Sequence, residues 1–370
     1  MKIETFELER RQSVWENRVR YNLTESGVHP YMLSELLTDD ELKDLFSIRL
    51  GYGQTNGSIE LREAISLLYP GTNLDNVLVT NGSSEGNFIG TWSTLEPKDE
   101  LILMLPNYLQ IWGIAQSFGV TVKPFHLKEH LNWQPEIEEL EGLLSPRTKM
   151  ITVCNPNNPT GAVLEEEIMQ EIVHLAKKAD AWIYSDEIYQ GAELEGDETS
   201  SFWGLYDKTI ISCGLSKAYA LPGLRIGWLI GPKKTIEKMW SYHDYTSIAS
   251  GILSNRIATL VLQPERRQKV LERNRKMLRG NLIVLTKWVA KHSDIFQFIP
   301  PQAGGIAFLK YNMNINSTEL TTKLREEKSV FIVAGDCFGL DHYIRIGIGS
   351  EKNYLLAGLE LIDELLEELR

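Results

Sequence analysis

Cysteine is scarce in this 370-residue chain: Cys154, Cys213 and Cys337 lie far apart, and none belongs to a CxxC or Cys/His pair. That spacing argues against a structural zinc and for a reducing compartment, with Cys154 and Cys213 read as small buried hydrophobes. Basic residues are in deficit too. Lys and Arg number 38 against 50 Asp and Glu, a formal net charge of -12 and the wrong sign for binding phosphodiesters, so nucleic acid is excluded as a partner. No run approaches the roughly 18 apolar residues of a membrane span. Met1 to Arg10 alternates charges without an apolar signal-peptide core, and a cytoplasmic protein with no membrane partner is expected. GxGxxG and Walker A loops, internal repeats, low-complexity tracts and flexible linkers are likewise missing.

The chain is 43% hydrophobic and 24% charged, which at this length suits two domains sharing a large core. From about residue 75 to 230, short apolar segments alternate with amphipathic stretches. Strand candidates begin at Val77, Leu101, Val120, Met150, Trp182 and Thr209. Their β-branched content and near-continuous apolarity fit an α/β fold with a mostly parallel sheet covered on both faces. Ligands of such sheets bind outside the carboxyl ends of the strands. After Pro264, Leu271, Leu278, Leu282, Leu285 and Val289 mark one long helix connecting to a smaller α+β domain that holds Tyr343 to Ile346 and a closing helix.

The chemistry-bearing residues follow those strands. Gly82-Ser83-Ser84-Glu85-Gly86 opens a helix, where free N–H groups and the helix dipole favour a phosphate, although a plain capped turn reads equally well. Tyr108 puts an aromatic ring at the same edge. Asn155-Pro156-Asn157-Asn158-Pro159 demands a fixed loop presenting Asn158, with a cis Asn-Pro bond as a candidate. Asp186 leaves an apolar strand, where a carboxylate is costly without a positive partner; the alternative is a helix N-cap. Lys217 ends the next strand, and Arg225 follows eight residues later between Gly223 and Gly227, which permit close backbone approach.

That combination resembles the class I/II aminotransferases, fold-type I enzymes that use pyridoxal 5'-phosphate, over nearly the whole chain. The resemblance implies a seven-stranded-type sheet sandwiched by helices in a large domain, residues 41–279, with a small domain from 1–40 and 280–370. It implies that Lys217 holds the cofactor as a Schiff base and shuttles the α-proton, and that Asp186 pairs with the pyridinium nitrogen. Asn158 and Tyr189 would hydrogen-bond the ring oxygen, and Tyr108 would stack on the ring. Ser83, Ser84 and Arg225 would cradle the phosphate, with Ser216 as a further contact. Tyr52 would reach the phosphate of a neighbouring subunit, so a homodimer is expected. Arg345 would clamp the substrate carboxylate, with Asn158 and Gly27 beside it; the alternative for Arg345 is a buried structural ion pair. Catalytic roles fall on Lys217, Asp186 and Tyr189, and no metal is called for.

Two positions depart from the family pattern. Gly214 stands where many members have a hydroxyl for the phosphate, and Ile111 stands where many have a second tyrosine. The implied activity is amino-group exchange between an α-amino acid and a 2-oxo acid; the alternative is elimination, replacement or a capreomycidine-synthase-like cyclisation. Asn22 to Pro30 is expected to enter the site, with Glu25 read either as a solvated helix cap or as a counter-ion for a cationic substrate side chain. Regulators that carry such a domain place a DNA-binding module before it, and Tyr52 comes too early for one.

Overall fold

The computed structural model of the chain describes residues 3–369. Strand β1 (Tyr21–Asn22) comes first. A large sheet then collects β2 (Val77–Thr80), β3 (Glu100–Leu105), β4 (Thr121–Lys128), β5 (Gln134–Pro135), β6 (Thr148–Cys154), β7 (Trp182–Asp186), β8 (Thr209–Gly214) and β9 (Gly227–Ile230). The remaining strands are β10 (Phe296–Phe298), β11 (Ile306–Tyr311), β12 (Val330–Phe331), β13 (Val333–Ala334) and β14 (Tyr343–Gly347).

The large sheet has the order β2-β9-β8-β7-β6-β3-β4-β5. Strands β8, β7, β6, β3 and β4 are parallel, as their apolarity indicates. β5 adds a two-residue antiparallel strand beside the expected seven. Successive side chains point to opposite faces, and both faces are packed. Leu101 and Leu103 join one apolar cluster, while Ile102 and Met104 join the other. β9 runs antiparallel to both β2 and β8. Its amino end therefore lies at the edge where β2 and β8 have their carboxyl ends, and Arg225 arrives there two residues before β9 starts.

A four-stranded antiparallel sheet, β10-β11-β14-β13, forms the second layer, and β1 pairs with β12. Its connection to the large sheet is the helix Pro264–Lys291, which starts on the expected proline and buries Leu271, Leu278, Leu285 and Val289. Two asparagines on that helix are also buried. Asn274 donates to the Ala218 carbonyl at 2.8 Å, and Asn281 donates to Ile348 O at 2.8 Å and Ser350 O at 2.6 Å. One rigid element thus fixes the residue after Lys217 and the loop after β14.

Of the two glycines flanking Arg225, only Gly227 is demanded by packing. A Cβ there would collide with the backbone of Gly82 and Ser83, whereas one on Gly223 would meet nothing within 4 Å. Gly227→Ala is expected to cost about 1–3 kcal/mol, the range for overpacking, and to lower the urea midpoint. Gly223→Ala should leave the midpoint unchanged or higher, and equal midpoints for the two variants would contradict this packing.

Candidate active site

A cavity of about 310 Å³ opens at this edge of the large sheet. Ser83 and Ser84 enter it after β2, Tyr108 after β3, Asn158 after β6, Asp186 from the end of β7, and Ser216 and Lys217 after β8. Arg225 comes from the amino end of β9, Arg345 from β14, and Tyr189 from the turn after β7.

The helix Ser83–Thr94 begins at Gly82, which supplies no capping side chain, so its first N–H groups lack a cap. Glu85 in the first turn is engaged elsewhere. Its carboxylate accepts Asn81 N–H at 2.5 Å and Ser247 N–H at 3.1 Å and lies 3.3 Å from His243. Among the described residues Arg225 meets only neutral acceptors, the Pro222 carbonyl at 3.0 Å and Ser216 Oγ at 3.5 Å. A cation, hydroxyls and a positive helix end together make an anion cradle. Gly214 contributes no hydroxyl to it, and its Cβ would come within 2.8 Å of Ile226 O and 2.9 Å of Gly227 Cα. The close approach of β8 to β9 therefore leaves no room for a side chain at Gly214.

Asp186 is buried, and no helix begins at it, so the N-cap alternative falls. Its Oδ1 accepts Ile188 N–H at 3.1 Å, and its Oδ2 accepts Asn87 Nδ2 at 3.2 Å. Asn87 is oriented by Tyr184, whose hydroxyl donates to Asn87 Oδ1 at 2.9 Å. No cation pairs with Asp186 among the described residues. Burial pushes its pKa up from 3.8 to about 6, against the hydrogen bonds from Asn87 and Ile188 and the charge of Lys217.

Lys217 Nζ donates to Glu25 Oε1 at 2.7 Å. Burial lowers the lysine pKa, but the Glu25 carboxylate and Tyr189 outweigh it and leave it raised. Glu25, through the same charge and against its own burial, is held at about 2. Its side chain is 50% accessible because it faces the open cavity. Glu25 is thus no helix cap, since residues 23–32 form no helix; it also accepts Gly27 N–H at 2.8 Å. Gly27 sits behind that carboxylate, beside the Lys217 backbone.

Arg345 is 1% exposed. Nη1 donates to Asn158 Oδ1 at 2.7 Å, Nη2 to Thr24 O at 2.6 Å, and Nε has no partner. No described carboxylate lies within ion-pair distance of it, which removes the structural ion-pair alternative. Tyr189 donates to Ser26 Oγ at 2.9 Å, and its pKa is pushed up to about 12 by burial. The peptides before Pro156 and Pro159 are both cis. Tyr108 lines the cavity and donates to Glu9 Oε1 at 2.9 Å. Tyr52 is not in the cavity; it is 87% exposed.

The sequence reading missed a whole wall. The helix Glu7–Trp15 and its C-cap Glu16 bring Glu9, Gln12, Ser13 and Glu16 to the cavity. Their signal was positional: residues 9, 12, 13 and 16 share one helical face, but the alternating charges were weighed only against a signal peptide. Asn87, four residues into its helix, also went unread.

The sequence profile of the family described as aminotransferase class I and II matches residues 26–360. A capreomycidine synthase of Streptomyces vinaceus is 26% identical over 94% of this chain and 90% of its own length. An aspartate aminotransferase of Thermotoga maritima is 27% identical over 93% and 91%. A PLP-dependent aminotransferase structure from Streptococcus suis superposes with a TM-score of 0.94 at 33% identity, covering 100% of this chain and 99% of that one.

Asp186 also offers a test without any ligand. Its pKa is 3.8 in the ordinary case and about 6 when folded, so the native state binds the extra proton between those values. The stability this group contributes is full below about pH 4 and lost as the pH rises through 6. Asp186→Asn, neutral at every pH, should raise the denaturation midpoint of the ligand-free protein more at pH 7.5 than at pH 4.5. A constant difference across that range would contradict the burial argument.

Proposed function

The chain belongs to the class I and II aminotransferases, a pyridoxal 5'-phosphate-dependent family, and from that premise we propose the roles of its cavity residues. The observation that carries them is a set of buried or cavity-facing charges without counterparts. Among the described residues Asp186 has no cation and Arg345 no anion, and Arg225 faces an uncapped helix start. A ring nitrogen, a carboxylate and a phosphate complete them in that order, and the cofactor fits.

When bound, the cofactor supplies an electrophilic carbon for an amine and a ring that accepts electrons. The protein does the rest. Lys217, the amine of the cavity, would hold the cofactor covalently and, once released, carry the substrate's α-proton on Nζ. In the ligand-free protein its pairing with Glu25 keeps that amine protonated and therefore non-nucleophilic. Asp186 would stay ionised beside the ring nitrogen and hold the nitrogen's proton in place. Asn158 and Tyr189 would donate to the ring oxygen, Tyr108 would cover the ring face, and Ser83, Ser84, Ser216 and Arg225 would hold the phosphate. Arg345 would grip the α-carboxylate through its free donor, with Asn158 and the Gly27 backbone framing that end.

The proposed assembly is a homodimer. Phe46, Leu50 and Tyr52 are 89%, 79% and 87% exposed within one short stretch, an apolar surface that suits a second copy. Similarity to a capreomycidine synthase supports ring closure as the second reading.

Replacing Lys217 by Ala is expected to abolish the visible absorbance of the lysine-bound cofactor and to cut transamination by about 10²–10⁴-fold, the usual contribution of a positioned acid or base. Retention of that absorbance would overturn the assignment. With the wild type, an amino acid that yields its 2-oxo acid supports amino transfer, whereas a cyclic amino acid without oxo acid supports the second reading.

A further inference from the structure

Resting on the aminotransferase reading, we propose that the substrate is an α-amino acid with a positively charged side chain, an ammonium or guanidinium, received by Glu9, Glu16 and Glu25. The cavity is lined by four carboxylates, on Glu9, Glu16, Glu25 and Asp186, and by three cations, on Lys217, Arg225 and Arg345. Asp186 would be satisfied by the cofactor's ring nitrogen and Arg225 by its phosphate. A substrate α-carboxylate satisfies Arg345. With Lys217 holding the cofactor, its ammonium would no longer be committed to Glu25, leaving three carboxylates facing the remaining space with no ion-pair partner among the described residues.

The wall is built to present charge. Tyr108 aims the Glu9 carboxylate by donating to Oε1 at 2.9 Å. Among the described residues no lysine, arginine or histidine forms an ion pair with Glu9 or Glu16. Burial, then the neighbouring charges of Glu25 and Glu9, raise the pKa of Glu16, the expected sign of unrelieved negative charge. An independent observation points to a ligand in the same space: Arg345, 1% exposed, lines it with Nε unpartnered. The acidic groups do not converge as a metal-holding set among the described residues, so an extended organic cation fits them better than an ion. A dicarboxylic amino acid would place a like charge against three carboxylates.

The test uses the cofactor-loaded protein and α-methyl amino acids, which lack an α-proton and therefore cannot go on to the 2-oxo acid. Calorimetric titration compares α-methylornithine with its neutral counterpart α-methylnorvaline and with α-methylglutamate, in the wild type and in the doubly substituted Glu9→Gln, Glu16→Gln protein. The expected wild-type preference for the cationic ligand over the neutral one is about tenfold or more, the scale of one charge-assisted hydrogen bond. It should fall severalfold in the double variant, which keeps Glu25, with the melting temperature unchanged. Equal binding of the cationic and neutral ligands, tighter binding of α-methylglutamate, or a preference undiminished by both substitutions would overturn the proposal. Turnover is scored separately with ornithine, lysine and arginine: cation-selective binding without any oxo acid counts against amino transfer and for the pocket.

Discussion

The ion pair between Lys217 Nζ and Glu25 Oε1, 2.7 Å long, is the interaction on which the rest of the site depends. Its partners stand 192 residues apart, one after a strand of the large sheet and the other in the segment that follows β1. The pair brings the Glu25 segment over the sheet edge, and the Gly347 N–H bond to Leu23 O at 2.7 Å fastens that segment to the end of β14. Arg345, two residues before Gly347 in the same strand, is thereby set beside Asn158.

The topology of the large sheet serves the same end. Parallel strands send their carboxyl ends to one edge, and the single internal antiparallel strand, β9, returns an arginine to that edge from the opposite chain direction. The anion cradle, the ring-nitrogen partner and the lysine therefore come from neighbouring strands rather than from one motif. The helix Pro264–Lys291 holds this edge in register with the second sheet through Asn274 and Asn281, whose buried amide nitrogens donate to backbone carbonyls of the two regions.

Much of this was legible in the chain. β2, β3, β6, β7 and β8 are short apolar runs because both faces are covered, and Asp186, Asn158 and Lys217 stood out because polar groups ended those runs. β4 was read only at its start: its later residues mix Lys123, Pro124 and His126 with Phe125 and Leu127, a pattern set by partial exposure near the sheet margin. β9 was hidden because Gly227 had been read as part of the arginine's setting. Gly214 was legible as a departure, but its cause, the approach of β9, is a tertiary fact. Glu25 could be suspected and not decided, since its partner lies in a distant segment. The acidic face of the first helix was present at helical spacing, but nothing local indicates that this face covers a cavity rather than meeting solvent.

Control of Lys217 by Glu25 is measured most directly by the pH dependence of the rate at which ligand-free protein captures pyridoxal 5'-phosphate. Only the unprotonated amine reacts. With Glu25 present the lysine pKa is raised; with Glu25→Gln, burial and Arg345 act unopposed by that carboxylate and lower it. The account expects the capture profile of Glu25→Gln to shift to lower pH, with faster capture at neutral pH. Superimposable profiles, or a shift to higher pH, would contradict it.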